Sequence, residues 1–373
     1  MIATSIGRNN ASSEDAKMPP KPITIDCLIV GGGIAGCACA VHLARHGWQV
    51  LVLERPPVRP QRFGESLAPA ARPLVHELGL DLDREHSICP GNLAAWGSDA
   101  IYHHDFLATP YGHGWHLNRP HFEQQLRQRC LELGVTFSSV SIGYLERQPE
   151  RWIIGVGEQL FQTRWLIEST GRARWLARRL GAQTQIDGPK QLGLVAMLEP
   201  QAQPWPDQRS LVEAVADGWW YVARVPQSQM ATIFIGQPTA AQRQKLALAE
   251  GWWQALKRST WAKQWLDQHQ LCAQPYWVDA SSSRLDRCYG NGWLAIGDAA
   301  MSYDPLAAHG ITVGLTSARD AAQSLIAANQ GSVAALHGYG HQLEQAWQAY
   351  RQLRQQIYAQ EQRWPNRPFW QPR

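Results

Sequence analysis

The first stretch of hydrophobic periodicity in the chain has the order strand, helix, strand. Residues 23–30 form an apolar run rich in β-branched residues and end at a group of glycines, which predicts a buried strand. Residues 35–46 have helical spacing, and residues 49–53 are a second apolar run that ends at Glu54. Together these segments predict a βαβ unit over residues 23–54, the supersecondary motif of parallel sheets.

The remaining hydrophobic pattern predicts further α/β structure and a separate antiparallel part. Strand-like segments alternate between residues 192 and 236, and their close spacing favours an antiparallel sheet. Buried strands are also predicted at 163–167 and 292–296, and helices at 118–133, 241–270, 310–328 and 340–361. Residues 363–373 are rich in Pro and Trp, and we expect no regular structure there.

The composition indicates a globular protein. The chain has 373 residues, of which 45% are hydrophobic and 18% charged, which suffices for one large core or two modest ones. Its net charge of +4 is spread thinly, so we expect no nucleic-acid partner. The seven cysteines include no C-x-x-C pair or zinc spacing, which predicts a reducing compartment and no metal site. The chain has 18 Trp against 7 Phe, which favours either aromatic core positions or an aromatic-lined cavity.

Two segments bear on the location of the protein. Residues 1–22 are polar and Pro-rich and lack the apolar core of a secretory signal, so we expect a disordered lead-in. Residues 27–44 carry no Asp, Glu, Lys or Arg and nominally reach transmembrane length, but they contain four glycines. Their β-branched first half and Ala-rich second half favour a strand, a turn and a helix. We therefore expect a cytoplasmic protein without a membrane partner.

A glycine motif separates the first predicted strand from the first helix. Gly31 permits a tight turn, Gly33 lets backbone amides approach a pyrophosphate at the helix N-terminus, and Gly36 lets helix and strand pack closely. Glu54 ends the second strand, where a carboxylate can accept hydrogen bonds from ribose hydroxyls. The pattern predicts a bound dinucleotide, either FAD or NAD. The expected contacts are Gly31, Gly33, Ile34, Ala35, Gly36, Glu54 and Arg55.

A second motif follows the buried strand at residues 292–296. It begins with Gly297-Asp298 and continues as a loop, DPLAAHGI, that leads into another helix. An Asp can hold a ribityl hydroxyl, and the N-terminus of a helix stabilises negative charge on a reduced ring. A flavin needs both features and a nicotinamide does not, so the cofactor is predicted to be FAD. The expected contacts are Gly297, Asp298, Pro305, Ala308, Gly310 and Ile311.

Three motifs occur together in a known order: GGGIAG with Glu54, RFGESLAP, and GDAA followed by DPL and HGI. Over residues 23–330 the chain resembles flavin-dependent monooxygenases of the p-hydroxybenzoate hydroxylase fold. Within that fold it leans towards the branch of tryptophan halogenases and geranylgeranyl reductases. The resemblance implies that residues 64–66 lie close to the isoalloxazine ring and that Ser66 and Arg119 contact FAD.

The same resemblance implies a division of the chain. We expect an α/β fold whose Rossmann-like FAD-binding domain is discontinuous, with an inserted antiparallel-sheet substrate domain and a C-terminal helix. The implied limits are 23–83, 110–176 and 280–330 for the FAD-binding domain, 84–109 and 177–279 for the substrate domain, and 331–373 for the C-terminal helix and tail.

The resemblance leaves the activity open. Halogenases need a lysine beyond the glutamate-containing flavin segment, and no lysine occurs between Ser66 and Lys190. Geranylgeranyl reductases need a long apolar tunnel, whereas the substrate segments here carry many Trp, Gln and Arg residues. The GESLAP segment, residues 95–97, 114–119 and 218–221 are most similar to flavoproteins that mature cysteine tryptophylquinone enzymes, the quinone-containing lysine and glycine oxidases.

That similarity implies an FAD-dependent monooxygenase that hydroxylates the indole ring of a protein-bound Trp. Its partner is then the precursor of a quinone-containing oxidase, and it uses molecular oxygen and an external reductant, either NAD(P)H or a reduced carrier. A hydroxylase of a free aromatic metabolite, a halogenase, a geranylgeranyl-reductase-like enzyme and a non-enzymatic flavoprotein chaperone remain alternatives. Arginines at 172–179 and 351–373 are interpreted as solvated faces or as a surface for an acidic partner.

Two residues are candidates for catalysis. Glu65 either orients the substrate or flavin or caps a turn, and His309 lies in the loop expected beside the flavin, where it either positions the substrate or only packs. An indole is electron-rich and needs no strong base, so a dry, shaped pocket matters more. The candidate pocket residues, whose aromatic faces can stack on a flat substrate, are Trp219, Trp220 and Tyr221.

Overall fold

The computed structural model describes residues 21–55, 65–82, 84–202, 206–307, 309–332 and 334–371. The expected lead-in at residues 1–22 lies almost wholly outside this part of the chain, and so do Gly64 and Ala308. Within the described ranges, no helix has the length and apolar character required to cross a bilayer.

The described residues form many short strands and nine helices. In chain order the strands are β1 Ile23–Thr24, β2 Cys27–Val30, β3 Val50–Leu53, β4 Ser66–Leu67, β5 Ser87–Cys89, β6 Gly91–Ala95, β7 Tyr102–Asp105, β8 Gly114–His116, β9 Thr136–Ser138, β10 Ile142–Arg147, β11 Trp152–Val156, β12 Gln159–Thr163, β13 Trp165–Glu168, β14 Thr184–Ile186, β15 Leu192–Pro200, β16 Ser210–Val215, β17 Gly218–Arg224, β18 Met230–Gly236, β19 His269–Leu271, β20 Tyr276–Asp279, β21 Ser283–Leu285, β22 Tyr289–Gly290, β23 Trp293–Ala295 and β24 Met301–Ser302. The helices are α1 Ile34–Arg45, α2 Arg72–Leu78, α3 Arg119–Glu132, α4 Trp175–Arg179, α5 Ala240–Leu246, α6 Ala249–Leu256, α7 Trp261–Leu266, α8 Gly310–Asn329 and α9 Ala334–Ala359.

A six-stranded sheet carries the predicted βαβ unit. Its strand order is β22-β23-β13-β2-β3-β9, and all pairs are parallel except β22 with β23. Strands β2 and β3 are buried along their whole length, as expected for parallel strands covered on both faces. Helix α1 packs against α3 and α8. The sheet confirms the predicted α/β fold, and its strands come from widely separated parts of the chain.

An eight-stranded sheet forms the second large layer. Its order is β19-β15-β18-β17-β16-β6-β7, with β20 also paired to β15, and all pairs are antiparallel except β16 with β6. Strands β6 and β7 lie within residues 84–109, and the other strands lie within 177–279. Both segments assigned to a substrate domain therefore contribute to one sheet, although the domain limits themselves stay a prediction.

The two faces of this sheet pack against different parts of the chain. On one face Trp220 lies in a core with Trp252 and Trp265 of helices α6 and α7. On the other face Trp219 lies in a core with Trp370 from the C-terminal segment. Because successive side chains of a strand point to opposite faces, neighbouring tryptophans of β17 belong to separate cores.

Two predicted helical segments differ from the observed ones. Residues 241–270 were expected to be helical but form parts of three short helices and the start of β19. A new helix begins at Trp261 because the buried carboxylate of Glu213 accepts its backbone N–H and those of its two neighbours. The C-terminal helix occupies 334–359 rather than 340–361. Beyond it, the tail forms a short 3-10 helix at Pro368–Trp370.

Candidate active site

A cavity of about 890 Å³ is lined by residues of both large sheets. It gathers most of the residues that the sequence predicted for the site, namely Gly31, Gly33, Ile34, Ala35, Glu54, Arg55, Glu65, Ser66, Arg119, Trp219, Tyr221, Gly297, Asp298, Pro305, His309, Gly310 and Ile311. Gly36 and Trp220 do not line it, and Ala308 lies outside the described residues. The two motifs, far apart in the sequence, therefore meet at one cavity.

The first glycine turn has no room for side chains. Gly31 has a φ of +111°, and a Cβ there would lie 2.4 Å from the carbonyl oxygen of Ser169. A Cβ on Gly36 would lie 1.9 Å from the carbonyl oxygen of Gly31, so this glycine serves close packing rather than lining the cavity. Helix α1 begins after Gly33 with no side-chain cap and no acidic residue in its first turn. Its N-terminal amides are therefore suited to an anionic group such as a pyrophosphate.

The second motif brings another helix N-terminus to the same cavity. Gly297 has a φ of +56°, and a Cβ there would lie 2.9 Å from Cβ of Ala35 on the first motif. Helix α8 begins at Gly310, and His309 at its N-cap position provides no side-chain cap. Its first turn contains no acidic residue either. Two positive helix ends at one cavity fit the pyrophosphate and the electron-accepting ring of FAD.

Asp298 presents its carboxylate to this cavity. Nearly half of its side chain, 46%, is accessible, and Arg172 Nε lies 3.7 Å from its Oδ2. Withdrawal from bulk water inside the cavity raises the pKa of Asp298, and the charges of Arg172, Arg174 and Arg119 oppose that rise. The accessible carboxylate is placed to accept a hydrogen bond from a ligand hydroxyl, as the sequence predicted for the ribityl chain.

Comparison with protein families decides the assignment. Residues 26–61, which include the first glycine turn, match the family described as FAD dependent oxidoreductase. Residues 100–373, more than half of the chain, match the family described as Tryptophan halogenase. The chain belongs to the tryptophan halogenase family. It is an FAD-dependent oxidoreductase.

Individual proteins share sequence or fold with this chain. LodB of Marinomonas mediterranea, provisionally named an FAD-dependent oxidoreductase, is 26% identical over 360 residues, which are 93% of this chain and 96% of LodB. The myxobacterial chondrochloren halogenase CndH has the same fold, with a TM-score of 0.85, 19% identity and coverage of 94% of this chain and 85% of CndH. The peptidyl tryptophan dihydroxylase QhpG also shares the fold, with a TM-score of 0.74, 24% identity and coverage of 93% and 78%.

The interpretation of Arg172 and Arg174 as part of a solvated helix face is wrong. Arg174 is buried, has a φ of +48°, and donates to the carbonyl oxygens of Ser283 and Ala299. Arg172 donates to the carbonyl oxygen of Tyr303 at 3.0 Å. Arg174 therefore holds loops beneath the cavity from a buried position, and the partly exposed Arg172 lines the cavity and holds its rim. Arg172 ends the ESTGR segment at residues 168–172, and Arg174 follows it. The hydrophobic pattern around them gives no sign that an arginine is buried there.

The C-terminal arginines are mostly engaged within the chain. Arg351 Nε and Arg354 Nη2 lie 3.2 and 2.6 Å from the two carboxylate oxygens of Asp187. Arg363 forms a 2.6 Å ion pair with the buried carboxylate of Glu361. These intramolecular pairs reduce the positive charge that this segment offers to an acidic partner.

The carboxylate predicted to bind ribose lies at the end of β3. Glu54 lines the cavity and pairs with Arg127, whose Nη1 is 2.8 Å from Glu54 Oε2. The next residue, Arg55, lies 6.0 Å from the ring of Trp175, and Arg179 lies 4.8 Å from the same ring. Trp175 also lines the cavity but was not predicted, because it follows β13 in the sequence and approaches the β3 end only in three dimensions.

The segment around the predicted catalytic carboxylate is described from Glu65 onwards. Glu65 is buried, lines the cavity, and its carbonyl oxygen accepts the N–H of Leu117 at 2.8 Å. The next residue, Ser66, shares a hydrogen bond between its hydroxyl and that of Tyr221. Burial, reinforced by the nearby charge of Glu65, raises the pKa of Tyr221, so this phenol stays protonated. The three side chains form one polar edge of an otherwise aromatic wall.

Strand β17 places only two of its three predicted residues at the cavity. Trp219 and Tyr221 line it, on the same face of the strand. Trp220 faces away, with its ring centroid 5.5 Å from that of Trp252 in the opposite core. The prediction of Trp220 as a pocket residue is therefore corrected, because adjacent strand residues point to opposite faces.

The remaining predicted residues lie at helix starts. Arg119 begins α3, lines the cavity and pairs with Glu123 at 2.8 Å. His309 precedes α8 and lines the cavity, and withdrawal from water lowers its pKa, which favours a neutral imidazole. Within the described ranges, no group of three or more His, Cys, Asp or Glu side chains is arranged to hold a metal ion.

Proposed function

We propose that this protein is a flavin-dependent monooxygenase that hydroxylates the indole ring of a protein-bound tryptophan. The expected partner is the precursor of an oxidase that contains cysteine tryptophylquinone. The observation that carries the choice of hydroxylation over halogenation is the position of the lysines. The five described ones, Lys21, Lys190, Lys245, Lys257 and Lys263, are all exposed, and none lines the cavity.

The cavity offers surfaces suited to a flat, electron-rich substrate. Bound FAD, once reduced by an external donor such as NAD(P)H or a reduced carrier, supplies activated oxygen, of which one atom enters the substrate and the other leaves as water. Tyr221, which is 9% exposed, offers an aromatic contact to an indole, worth roughly 0.5–1.5 kcal/mol beyond burial. Trp219 is only 1% exposed and therefore shapes the cavity wall rather than stacking on the substrate. Glu65 and the hydrogen-bonded hydroxyls of Ser66 and Tyr221 make the edge of that wall polar.

The neutral state of His309 also suits this function. At neutral pH an uncharged imidazole beside the N-terminus of α8 does not compete with that helix end for a negative charge. We propose that His309 and Glu65 position the substrate, whereas Asp298 and the two helix N-termini hold FAD. An indole ring attacks an oxygen donor without prior deprotonation and loses its ring proton to water only afterwards, so no strong base is required.

One protein of the same fold supports a protein-bound substrate over a free metabolite. QhpG is named a peptidyl tryptophan dihydroxylase essential for tryptophylquinone cofactor biogenesis. Steering by the C-terminal arginines is no longer part of the proposal, since Arg351, Arg354 and Arg363 are paired within the chain.

The decisive experiment is co-expression with the precursor of a quinone-containing oxidase, followed by intact mass and peptide mapping of the precursor. We expect the mass of one or more oxygen atoms on a specific Trp in the presence of the wild-type protein. Asp298→Ala, which is expected to weaken FAD binding, should give less. If no precursor gains oxygen but free indoles do, the protein is a metabolite hydroxylase instead.

Halogenation is the alternative that family membership favours. The same reaction, run with and without chloride or bromide, separates the two activities. We expect equal rates and no halogenated product, because no described lysine reaches the cavity. A halide-dependent product detected by mass spectrometry would refute the hydroxylase assignment.

A further inference from the structure

The hydroxyl group of Tyr358 joins two walls of the cavity. Tyr358 lies near the end of α9 and is buried. Its hydroxyl accepts the indole N–H of Trp219 at 3.0 Å and donates to Oδ2 of Asp304 at 2.8 Å. Trp219 lies on β17, and Asp304 lies in the turn that precedes α8, and both line the cavity. The C-terminal helix therefore connects the aromatic wall to the second cofactor motif.

The same helix also fixes the backbone of this turn. The N–H of Asp304 donates to the hydroxyl of Tyr350 at 2.8 Å, and Oδ1 of Asp304 accepts the N–H of Leu306 at 2.9 Å. Tyr350 and Tyr303 stack with their ring centroids 4.2 Å apart. Tyr350 and Tyr358 thus hold Asp304 through its main chain and its carboxylate respectively. A shift of α9 would displace both hydrogen bonds together.

We propose that Tyr358 is a positioning residue of the active site. It sets the plane and depth of the Trp219 indole relative to the Asp304–Leu306 turn, and so fixes the distance between the aromatic wall and the FAD end of the cavity. Gln191 Nε2 also donates to the Tyr358 hydroxyl, at 3.3 Å. This third hydrogen bond further fixes the position of the hydroxyl. The identity of the substrate in this inference rests on the proposed function. The position of Trp219 does not, because it follows from the hydrogen bonds of Tyr358.

Helix α9 offers a matched control for the loss of a buried hydroxyl. Tyr339 is buried on the same helix and donates to the carbonyl oxygen of Ala295 at 2.7 Å, in the six-stranded sheet. Tyr339→Phe and Tyr358→Phe each remove one buried hydroxyl and leave the ring. Only Tyr358→Phe separates Trp219 from Asp304. A purely structural role of Tyr358 predicts that the two variants behave alike in every functional measurement.

The first test compares how much of the oxygen consumed yields hydroxylated product rather than hydrogen peroxide. The proteins are wild type, Tyr358→Phe and Tyr339→Phe, each loaded with FAD. Hydrogen peroxide and hydroxylated precursor are measured in the same samples. We expect the peroxide-to-product ratio to rise about tenfold or more in Tyr358→Phe, because this change removes all three buried hydrogen bonds of the hydroxyl. It should stay at the wild-type value in Tyr339→Phe. Equal ratios in all three proteins would overturn the inference.

The second test needs no substrate. With isotopically labelled tryptophan, the indole N–H resonance of Trp219 is assigned by its absence in Trp219→Phe. It should move in Tyr358→Phe and not in Tyr339→Phe, and an unmoved resonance overturns the inference. If wild type hydroxylates no precursor, the proposed function fails and this resonance alone decides the role of Tyr358. Should Tyr358→Phe not fold, Gln191→Leu, which removes a donor to the same hydroxyl, must move the resonance instead.

Discussion

The guanidinium of Arg172 lies 3.7 Å from the carboxylate of Asp298, and both side chains face the active-site cavity. Arg172 also donates to the carbonyl oxygens of Ser281 and Tyr303. Because both charges are partly exposed, the ion pair itself contributes little to folding stability. Its effect is to hold the partly exposed carboxylate of Asp298 at the wall of the cavity.

Replacement of Asp298 is expected to weaken the binding of FAD. Asp298→Ala removes a charge-assisted hydrogen bond of about 1.5–3 kcal/mol, which corresponds to roughly a 10- to 150-fold increase in the dissociation constant. Titration of the apoprotein with FAD, followed by flavin fluorescence, measures this change. Asp267→Ala, at an exposed helix end, is the control and should bind FAD like wild type. An unchanged affinity in Asp298→Ala would show that this carboxylate does not hold the cofactor.

Replacement of Trp219 is expected to impair activity, whereas replacement of Trp220, its neighbour on β17, is expected to impair folding stability. Trp219→Phe alters the cavity wall and should lower kcat/KM about three- to tenfold, the equivalent of one aromatic contact. Trp220→Phe should leave kcat/KM unchanged and lower the free energy of unfolding by about 1–3 kcal/mol, because its ring packs in the opposite core. Steady-state kinetics and urea denaturation of both variants test this. The reverse pattern would place the substrate on the other face of the sheet.

The glycine turn is expected to reject even a methyl group. In Gly36→Ala the new Cβ would lie 1.9 Å from the carbonyl oxygen of Gly31, so we expect a loss of about 1–3 kcal/mol in unfolding free energy together with weaker FAD binding. Gly143→Ala is the control, because no atom lies within 4 Å of a Cβ there. Its stability should stay within about 0.5 kcal/mol of wild type. Thermal unfolding with and without FAD distinguishes the two variants.

His116 is expected to make stability depend on pH. Burial lowers its pKa from 6.5 to about 4, which an interaction with the backbone of Arg224 partly offsets. The unfolded chain then binds a proton that the folded protein rejects, so stability is complete above pH 6.5 and falls as the pH drops towards 4. The full contribution is on the order of 3 kcal/mol. In His116→Leu, the loss of stability between pH 6.5 and 4.5, measured by denaturation, should be smaller. An identical slope in both proteins would assign the pH dependence to other groups.

Local sequence patterns were sufficient where the chemistry depends on consecutive residues. The turn Gly31–Gly36, the carboxylate of Glu54 and the motif that begins at Gly297 could each be recognised from a strand, a turn and a helix in succession. The parallel sheet followed from the same runs. These features depend on steric requirements within a few residues, so the sequence contains all the information needed.

Other parts of the site depend on contacts between distant residues. Arg174 was expected at the surface because four arginines within eight positions indicate a solvated face, yet a backbone φ of +48° directs it inward. Trp219 and Trp220 have equal aromatic character, and only the pairing of β17 determines which one faces the cavity. Tyr358 reaches Asp304 across 54 residues, and no periodicity signals that contact.

The strands of the six-stranded sheet come from distant parts of the chain, and this has a consequence for biosynthesis. Strand β2 leaves the ribosome more than 250 residues before β23, which lies two strands away from it in the sheet. Until then β13 has an open edge that another nascent chain can pair with. Helix α8, which covers α1 and completes the cofactor cavity, is made later still. FAD can therefore bind at this cavity only after α8 has been made, as a ligand that favours molecules in which this edge is covered.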